Sequence, residues 1–195
     1  TEASAMATVS YEDPIRIGSN GVPLVNTVIS AFEEGTEHEL QYGKLGEICI
    51  SSPTIMLGYY HNQKATDDMV WTHQDGSKWI HTGDLGYVDN DGLIYIEGRL
   101  KRMIIRYDGF KIFPPFIEKV ILTNSKVDAC CAVGKADNEH GHGQIPVVFF
   151  TLKTDPNNHE NNLVDELKEA CKKELPEYSQ PREFRLLSEL PHTPI

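Results

Sequence analysis

Gly98-Arg99-Leu100-Lys101-Arg102-Met103-Ile104-Ile105-Arg106 is the stretch at which the chain changes its rhythm. Before it, turn residues cluster at Gly18 to Pro23, Glu34 to Glu37, Tyr42 to Gly46, Asp75 to Ser77 and Asp89 to Gly92. Short strand-like runs lie between the clusters: Leu24 to Phe32, Glu47 to Ile50 and Leu93 to Glu97. In the last run apolar residues occupy both alternating sets, so both faces are expected to be covered. Asn62 is placed to cap a short helix through Met69. After Arg102, strands and helices alternate. Met103 to Arg106 reads as a strand, and Pro115 starts a helix whose Ile117, Val120 and Ile121 share one face. Asp128 to Val133 and Ile145 to Leu152 read as strands. Leu163, Leu167, Ala170, Cys171 and Leu175 form a helical stripe capped by Asn161 or Asn162 and stopped by Pro176. Glu183 to Leu187 closes the set as a strand. The expected fold class is α+β: an antiparallel, β-barrel-like region over residues 1–98, then a small β-α-β-β-α-β domain over residues 99–195.

Composition narrows the functions. The 195 residues are 39% hydrophobic, enough for a packed core. Twenty-nine acidic residues against 18 Lys plus Arg give a net charge of -11, which opposes nucleic-acid phosphates and anionic membrane surfaces. The local exception runs from Arg99 to Lys111, where five cations face only Asp108 and a phosphate-rich small molecule could be met. Cys49, Cys130, Cys131 and Cys171 form no CxxC pair, and three of them fall in apolar or helical stretches where Cys serves as a small hydrophobe, which points to a reducing, cytoplasmic compartment. No apolar run reaches the ~20 residues of a membrane helix, and Thr1 to Ser10 lack signal-peptide character. The opening Thr-Glu-Ala-Ser, without Met, reads as the start of an excised segment.

Two tempting metal motifs fail on spacing. Taking Gly92 as the glycine of a calcium loop puts Tyr87 first and Gly98 last, where carboxylates are needed, so Asp89-Asn90-Asp91-Gly92 is a hairpin turn. His140-Gly141-His142 has no third ligand at a suitable spacing.

The order of several phrases is more telling than any one of them. Tyr42-Gly43-Lys44-Leu45-Gly46-Glu47-Ile48-Cys49-Ile50 precedes Met56-Leu57-Gly58-Tyr59-Tyr60. Trp79-Ile80-His81-Thr82-Gly83-Asp84-Leu85-Gly86 follows, then Asp91-Gly92, then the Gly98 to Arg106 stretch. This succession resembles the adenylate-forming superfamily: acyl- and aryl-CoA synthetases, adenylation domains of peptide synthetases, and beetle luciferases. The resemblance runs from Thr1 to Ile195.

The chemistry of such enzymes gives the phrases work. A carboxylate is a poor electrophile, so joining it to a thiol requires a leaving group, and AMP from ATP supplies one. The ribose must be held firmly for the α-phosphate to lie in line with the carboxylate. An ionised Asp has two acceptor oxygens for a cis-diol, and Asp84, read as the end of a Thr-Gly turn, fits that role. Arg99 is placed to donate to the same ribose or to steady Asp84; the resemblance implies that both bind nucleotide. It also implies that Thr1 meets phosphate and Glu2 holds Mg²⁺, that Gly109 contacts CoA, and that Lys101 is the hinge between two half-reactions. The resemblance also leads one to expect the family's pyrophosphate loop upstream of Thr1, and a Gly-Lys after Pro191-His192-Thr193-Pro194-Ile195, which resembles its lead-in.

The reading is therefore a segment of an AMP-forming acyl- or aryl-CoA ligase that uses ATP, Mg²⁺, a carboxylic acid and CoA, and that is inactive alone. An adenylation domain that loads a carrier protein is the alternative within this chemistry. A non-catalytic docking module is the alternative outside it, disfavoured because a scaffold has no need of Asp84, Arg99 and Lys101 together.

Overall fold

A computed structural model describes residues 2–3, 6–10, 16–153 and 162–191. The chain divides into two compact units, Thr1–Leu100 and Lys101–Ile195. The division falls two residues past the Gly98 and Arg99 boundary expected from sequence. Arg99 stays with the first unit because its guanidinium bonds to residues of that unit.

In the first unit β1 (Thr8–Val9) and β2 (Val22–Pro23) form a small antiparallel pair. The main sheet contains β3 (Val28–Phe32), β4 (Gly46–Ser51), β5 (Val70–Thr72), β6 (Lys78–Val88) and β7 (Ile94–Arg99). Its order is β3-β4-β6-β5, with β7 also on β6, and every pairing is antiparallel. The expected barrel-like closure does not occur among the described residues. The sheet stays open because the eleven-residue β6 serves two partners in turn on one edge, β5 along Lys78 to Ile80 and β7 along Asp84 to Val88. Asp89 makes the turn between β6 and β7, its Oδ1 accepting from the backbone N–H groups of Asp91 and Leu93 at 2.9 Å each. Coverage of β7 falls off along the strand rather than holding on both faces as expected: Ile94 and Ile96 share a face, yet Ile94 is 2% exposed and Ile96 38%, and Leu93 and Tyr95 on the other face are half-buried.

The short helix α1 (Gln63–Met69) starts where Asn62 caps it, the side chain accepting from Ala65 N at 3.1 Å. Cross-strand partners share a face. Ile29 pairs with Ile50 and Ala31 with Ile48 on one side of the sheet, where Val88 and Ile94 complete an apolar cluster. Phe32 pairs with Glu47, and Cys49 with both Ser30 and His81, on the other side.

The second unit has a three-stranded sheet of β10 (Val127–Ala136), β11 (Gln144–Leu152) and β12 (Glu183–Leu186). β10 and β11 are antiparallel, whereas β12 runs parallel to β11. A parallel return needs a crossover, and α3 (Leu163–Glu174) supplies it. The expected first strand is not in this sheet. Residues Ile104–Ile105 (β8) pair with Lys111–Ile112 (β9) as a separate hairpin, because the turn at Arg106 to Phe110 folds the chain back on itself. Pro114 and Pro115 start α2 (Pro114–Ile121), where their missing N–H groups have no intrahelical partner to lose. Ile117 and Ile121 of α2 and Leu163, Leu167 and Cys171 of α3 meet Val148 and Phe150 in a single apolar core.

All four cysteines are free. Burial, with the Glu47 charge, pushes the Cys49 thiol far up; burial raises Cys130 to about 12 and Cys171 to about 11. Cys49 and Cys171 are buried and serve as small core hydrophobes. No helix among the described residues is long and apolar enough to cross a membrane.

Candidate functional site

The Thr82-Gly83 dipeptide is not a turn between elements but a bulge inside β6. Cys49 stands opposite His81, yet the next residue back on β4, Ile48, stands opposite Asp84, so Thr82 and Gly83 are extra. Gly83 sits at φ +68°, where a side chain is strained, and this permits the excursion. Thr82 Oγ1 donates to Ile48 O at 2.6 Å and accepts from Asp84 N at 3.0 Å. Glu47 Oε1 accepts from Gly83 N at 2.9 Å.

Asp84 also pairs across the sheet with Arg99 of β7. Arg99 Nε lies 2.8 Å from Asp84 Oδ1, and Nη1 donates to Thr82 O at 3.1 Å. The Asp84 side chain is 26% exposed, enough to meet a ligand from solvent. Burial raises its carboxyl above the usual range, opposed by Arg99 and Thr82 and assisted by the charge of Glu47. A ligand bringing two hydroxyl donors would replace water at this carboxylate without adding charge.

Behind the bulge lies a polar cluster. Glu47 is 7% exposed and His81 5%. His81 Nδ1 is 2.9 Å from Glu47 Oε2, His81 Nε2 is 3.3 Å from His73 Nε2, and the Trp71 ring stacks on His81 at 3.9 Å. Burial pushes the Glu47 carboxyl up, but hydrogen bonds from His81 and Gly83 outweigh it and hold the group below 4.5. An ionised Glu47 is acceptor-only, so His81 Nδ1 carries the hydrogen in this bond. Glu47, Cys49 and His81 bring ligand atoms close enough for a metal ion. Glu47 is already engaged by two N–H donors, however, and the high Cys49 pKa disfavours the thiolate a metal would need.

The other sequence-predicted residues lie elsewhere. Thr1 is outside the described residues. Glu2 is joined to the Met56 to Tyr60 phrase: its carbonyl accepts from Met56 N at 2.8 Å and its Oε1 from Tyr59 Oη at 2.8 Å. Hydrogen bonds from its own backbone and from Tyr59 hold the Glu2 carboxyl below its ordinary value. Lys101 is exposed within a single 3₁₀ turn, Leu100–Arg102. Gly109, at φ +82°, shapes the exposed turn between β8 and β9. The structure thus brings Asp84 and Arg99 together in the first unit, while Lys101 and Gly109 belong to the second.

Sequence reasoning gave no role to Glu47, His81 or Tyr59, although it quoted all three. A Glu in the otherwise apolar Gly46-Glu47-Ile48-Cys49-Ile50 was the available signal for the first. It also missed a cavity of about 500 Å³ in the second unit, lined by Arg106, Tyr107, Lys135, His140, Tyr178 and Arg182. There Tyr107 stacks on His140 at 3.5 Å, and Arg106 Nη1 donates to Tyr178 O at 3.0 Å. His140 Nδ1 faces Asp137 Oδ2 at 2.8 Å and His142 Nε2 faces Tyr107 O at 3.1 Å, so both histidines hold the loop together.

Comparison with known proteins covers both units. Residues 1–60 match the AMP-binding enzyme family and residues 117–195 match the AMP-binding enzyme C-terminal domain. Among similar curated proteins, probable 4-coumarate–CoA ligase 3 of Dictyostelium discoideum is 35% identical over 165 residues, 85% of this chain and 29% of that protein. A long-chain-fatty-acid–CoA ligase of Salmonella typhimurium is 32% identical over 196 residues, 100% of this chain and 32% of that protein. The chain therefore spans about a third of the length of these relatives. The structure of O-succinylbenzoate coenzyme A synthetase from Bacillus subtilis in complex with AMP superposes with a TM-score of 0.77 at 29% identity, covering 99% of this chain and 37% of that one.

Proposed function

From its membership of the adenylate-forming, AMP-binding enzymes, to which this chain belongs, we propose that the complete protein is an ATP-dependent acid–CoA ligase. It would convert a carboxylic acid and ATP to the acyl-adenylate, releasing pyrophosphate, and then pass the acyl group to the thiol of CoA, releasing AMP. The carrying observation is the Asp84 carboxylate, presented by a built bulge and paired with Arg99. Its two oxygens are suited to the ribose diol of ATP, with Arg99 steadying the carboxylate or donating alongside it. Anchoring the ribose there leaves the α-phosphate in one orientation toward the acid, which is where most of the gain from positioning would arise.

Mg²⁺ would be held by Glu2, whose carboxyl is held below its ordinary value and is therefore an ionised, hard oxygen donor. When bound, Mg²⁺ would supply electrostatic stabilisation of the negative charge that develops during phosphoryl chemistry. Thr1 is proposed to meet the phosphates. In the second unit, Gly109 is proposed to contact the pantetheine arm. The aromatic-walled cavity in the second unit carries Arg106, Lys135 and Arg182 beside Asp137 and Glu139, and is proposed to meet the adenosine part of CoA through Tyr107 and Arg182. Carrier-bound phosphopantetheine has no such nucleotide, so this reading goes with free CoA as acceptor. Lys101 is proposed as the pivot that lets the second unit serve the two half-reactions in turn.

The test is Asp84→Ala in the complete enzyme. Losing charge-assisted hydrogen bonds worth about 1.5 to 3 kcal/mol each should lower ATP–pyrophosphate exchange by about a hundredfold or more. Exchange unchanged within a few-fold would make Asp84 a structural bulge residue and sink the ribose assignment.

A further inference from the structure

Glu47 is a buried carboxylate that no step of the proposed reaction uses, and its two oxygens reach both sides of one feature. Oε1 accepts from Gly83 N, inside the bulge, and Oε2 faces His81 Nδ1, the last residue before it. His81 is fixed in turn by the Trp71 ring on its face and by His73 at Nε2. On the other side of the excursion, Thr82 ties β4 to Asp84 through Ile48 O and Asp84 N. A two-residue bulge has many available shapes. These contacts select one, and Asp84 is the next residue out.

We propose that Glu47, acting with His81 through the Gly83 N–H, is a positioning residue that sets where the Asp84 carboxylate is presented to the nucleotide. Glu47 would touch no substrate. An isolated buried carboxylate is costly unless hydrogen-bonded, and a sheet built only for stability is served as well by an apolar residue at this position. What the carboxylate provides is direction: two acceptors at a fixed separation that define both ends of the Thr82-Gly83 excursion. The proposal rests on the ribose reading of Asp84.

It is tested in the complete enzyme by pyrophosphate exchange, measuring KM for ATP and for the carboxylic acid separately, with Asp84→Ala in parallel. Glu47→Ala should raise KM for ATP by about tenfold or more and leave KM for the acid within about twofold, because only the nucleotide meets the displaced carboxylate. Glu47→Gln keeps an oxygen for Gly83 N–H, and a tautomer change at His81 accommodates its amide; it should bring KM for ATP back to within about threefold of the parent. A merely structural Glu47 would lower the active fraction without separating the two KM values. If Glu47→Ala yields no soluble protein, Glu47→Asp decides: one methylene shorter, it cannot reach both partners and should raise KM for ATP selectively. An unshifted KM for ATP in the soluble variant, beside an impaired Asp84→Ala, overturns the proposal and leaves the ribose reading standing. If Asp84→Ala is itself unimpaired, both fail together.

Discussion

The two faces of β4 carry different kinds of core. Ile48 points to an apolar cluster with Ile29, Ala31, Val88 and Ile94, whereas Glu47 and Cys49 point to Phe32, Trp79 and His81. Dispersion and water exclusion hold the first face, and both are nearly indifferent to direction. The second face packs Phe32, Cys49 and Trp79 and adds to them hydrogen bonds with defined donors, acceptors and distances. An apolar face can fix a sheet's position, but only the directional one can fix a bulge and the side chain beyond it. The second unit lies at the apolar extreme, with Ile117, Ile121, Phe150 and Leu167 almost fully buried in one cluster.

Three substitutions sharpen or break this contrast. The largest effect is expected on the apolar face: Ile48→Ala should destabilise the chain by about 2 to 5 kcal/mol in urea titration. The same change in the complete enzyme should leave KM for ATP within about threefold, because the backbone carbonyl that Thr82 bonds is retained. A selective loss of ATP binding there would erase the distinction between the faces.

Next is the joint, which neither face reaches. If the ribose site is set within the first unit, locking φ at Lys101 should spare it. Lys101→Pro should keep adenylate formation within about tenfold while thioester formation falls much further. Equal losses in the two half-reactions would show that Lys101 is not the pivot.

The smallest effect concerns acid. The Glu47 carboxyl is held below its ordinary value of 4.5, so its contribution to stability is complete above that pH and is lost as pH falls through the lowered value. Glu47→Gln cannot bind that proton. Its urea midpoint should therefore decline less steeply than the parent's between about pH 5 and pH 3. Parallel declines would mean that Glu47 carries no proton linkage.

Much of this molecule could be read from short-range signals. Asn62 ahead of Gln63, the prolines at 114 and 115, and the stripe of Leu163, Leu167 and Cys171 specify three helices with local chemistry alone. The hairpin at Asp89 is equally local, since its carboxylate bonds the N–H groups two and four residues on. The reading went astray where local chemistry was ambiguous. Thr82-Gly83 has the composition of a turn, and only pairing with β4 makes it an excursion inside a strand. Met103 to Arg106 has the composition of a sheet strand, but a turn six residues past the joint sends it into a hairpin. Ile96 has the composition of a core residue, and it is exposed where β7 has no cover.

By itself, then, the sequence determined the family, the change of architecture near Lys101 and the identity of Asp84 and Arg99 as a candidate pair, because order, spacing and turn chemistry are properties of a linear chain. The tertiary structure alone decided that Asp84 stands on a bulge, that Glu47 and His81, 34 residues apart, close behind it, and that Arg106 shares a cavity with Arg182. Those facts depend on strand register and on burial, and both arise only when distant segments exclude water between them.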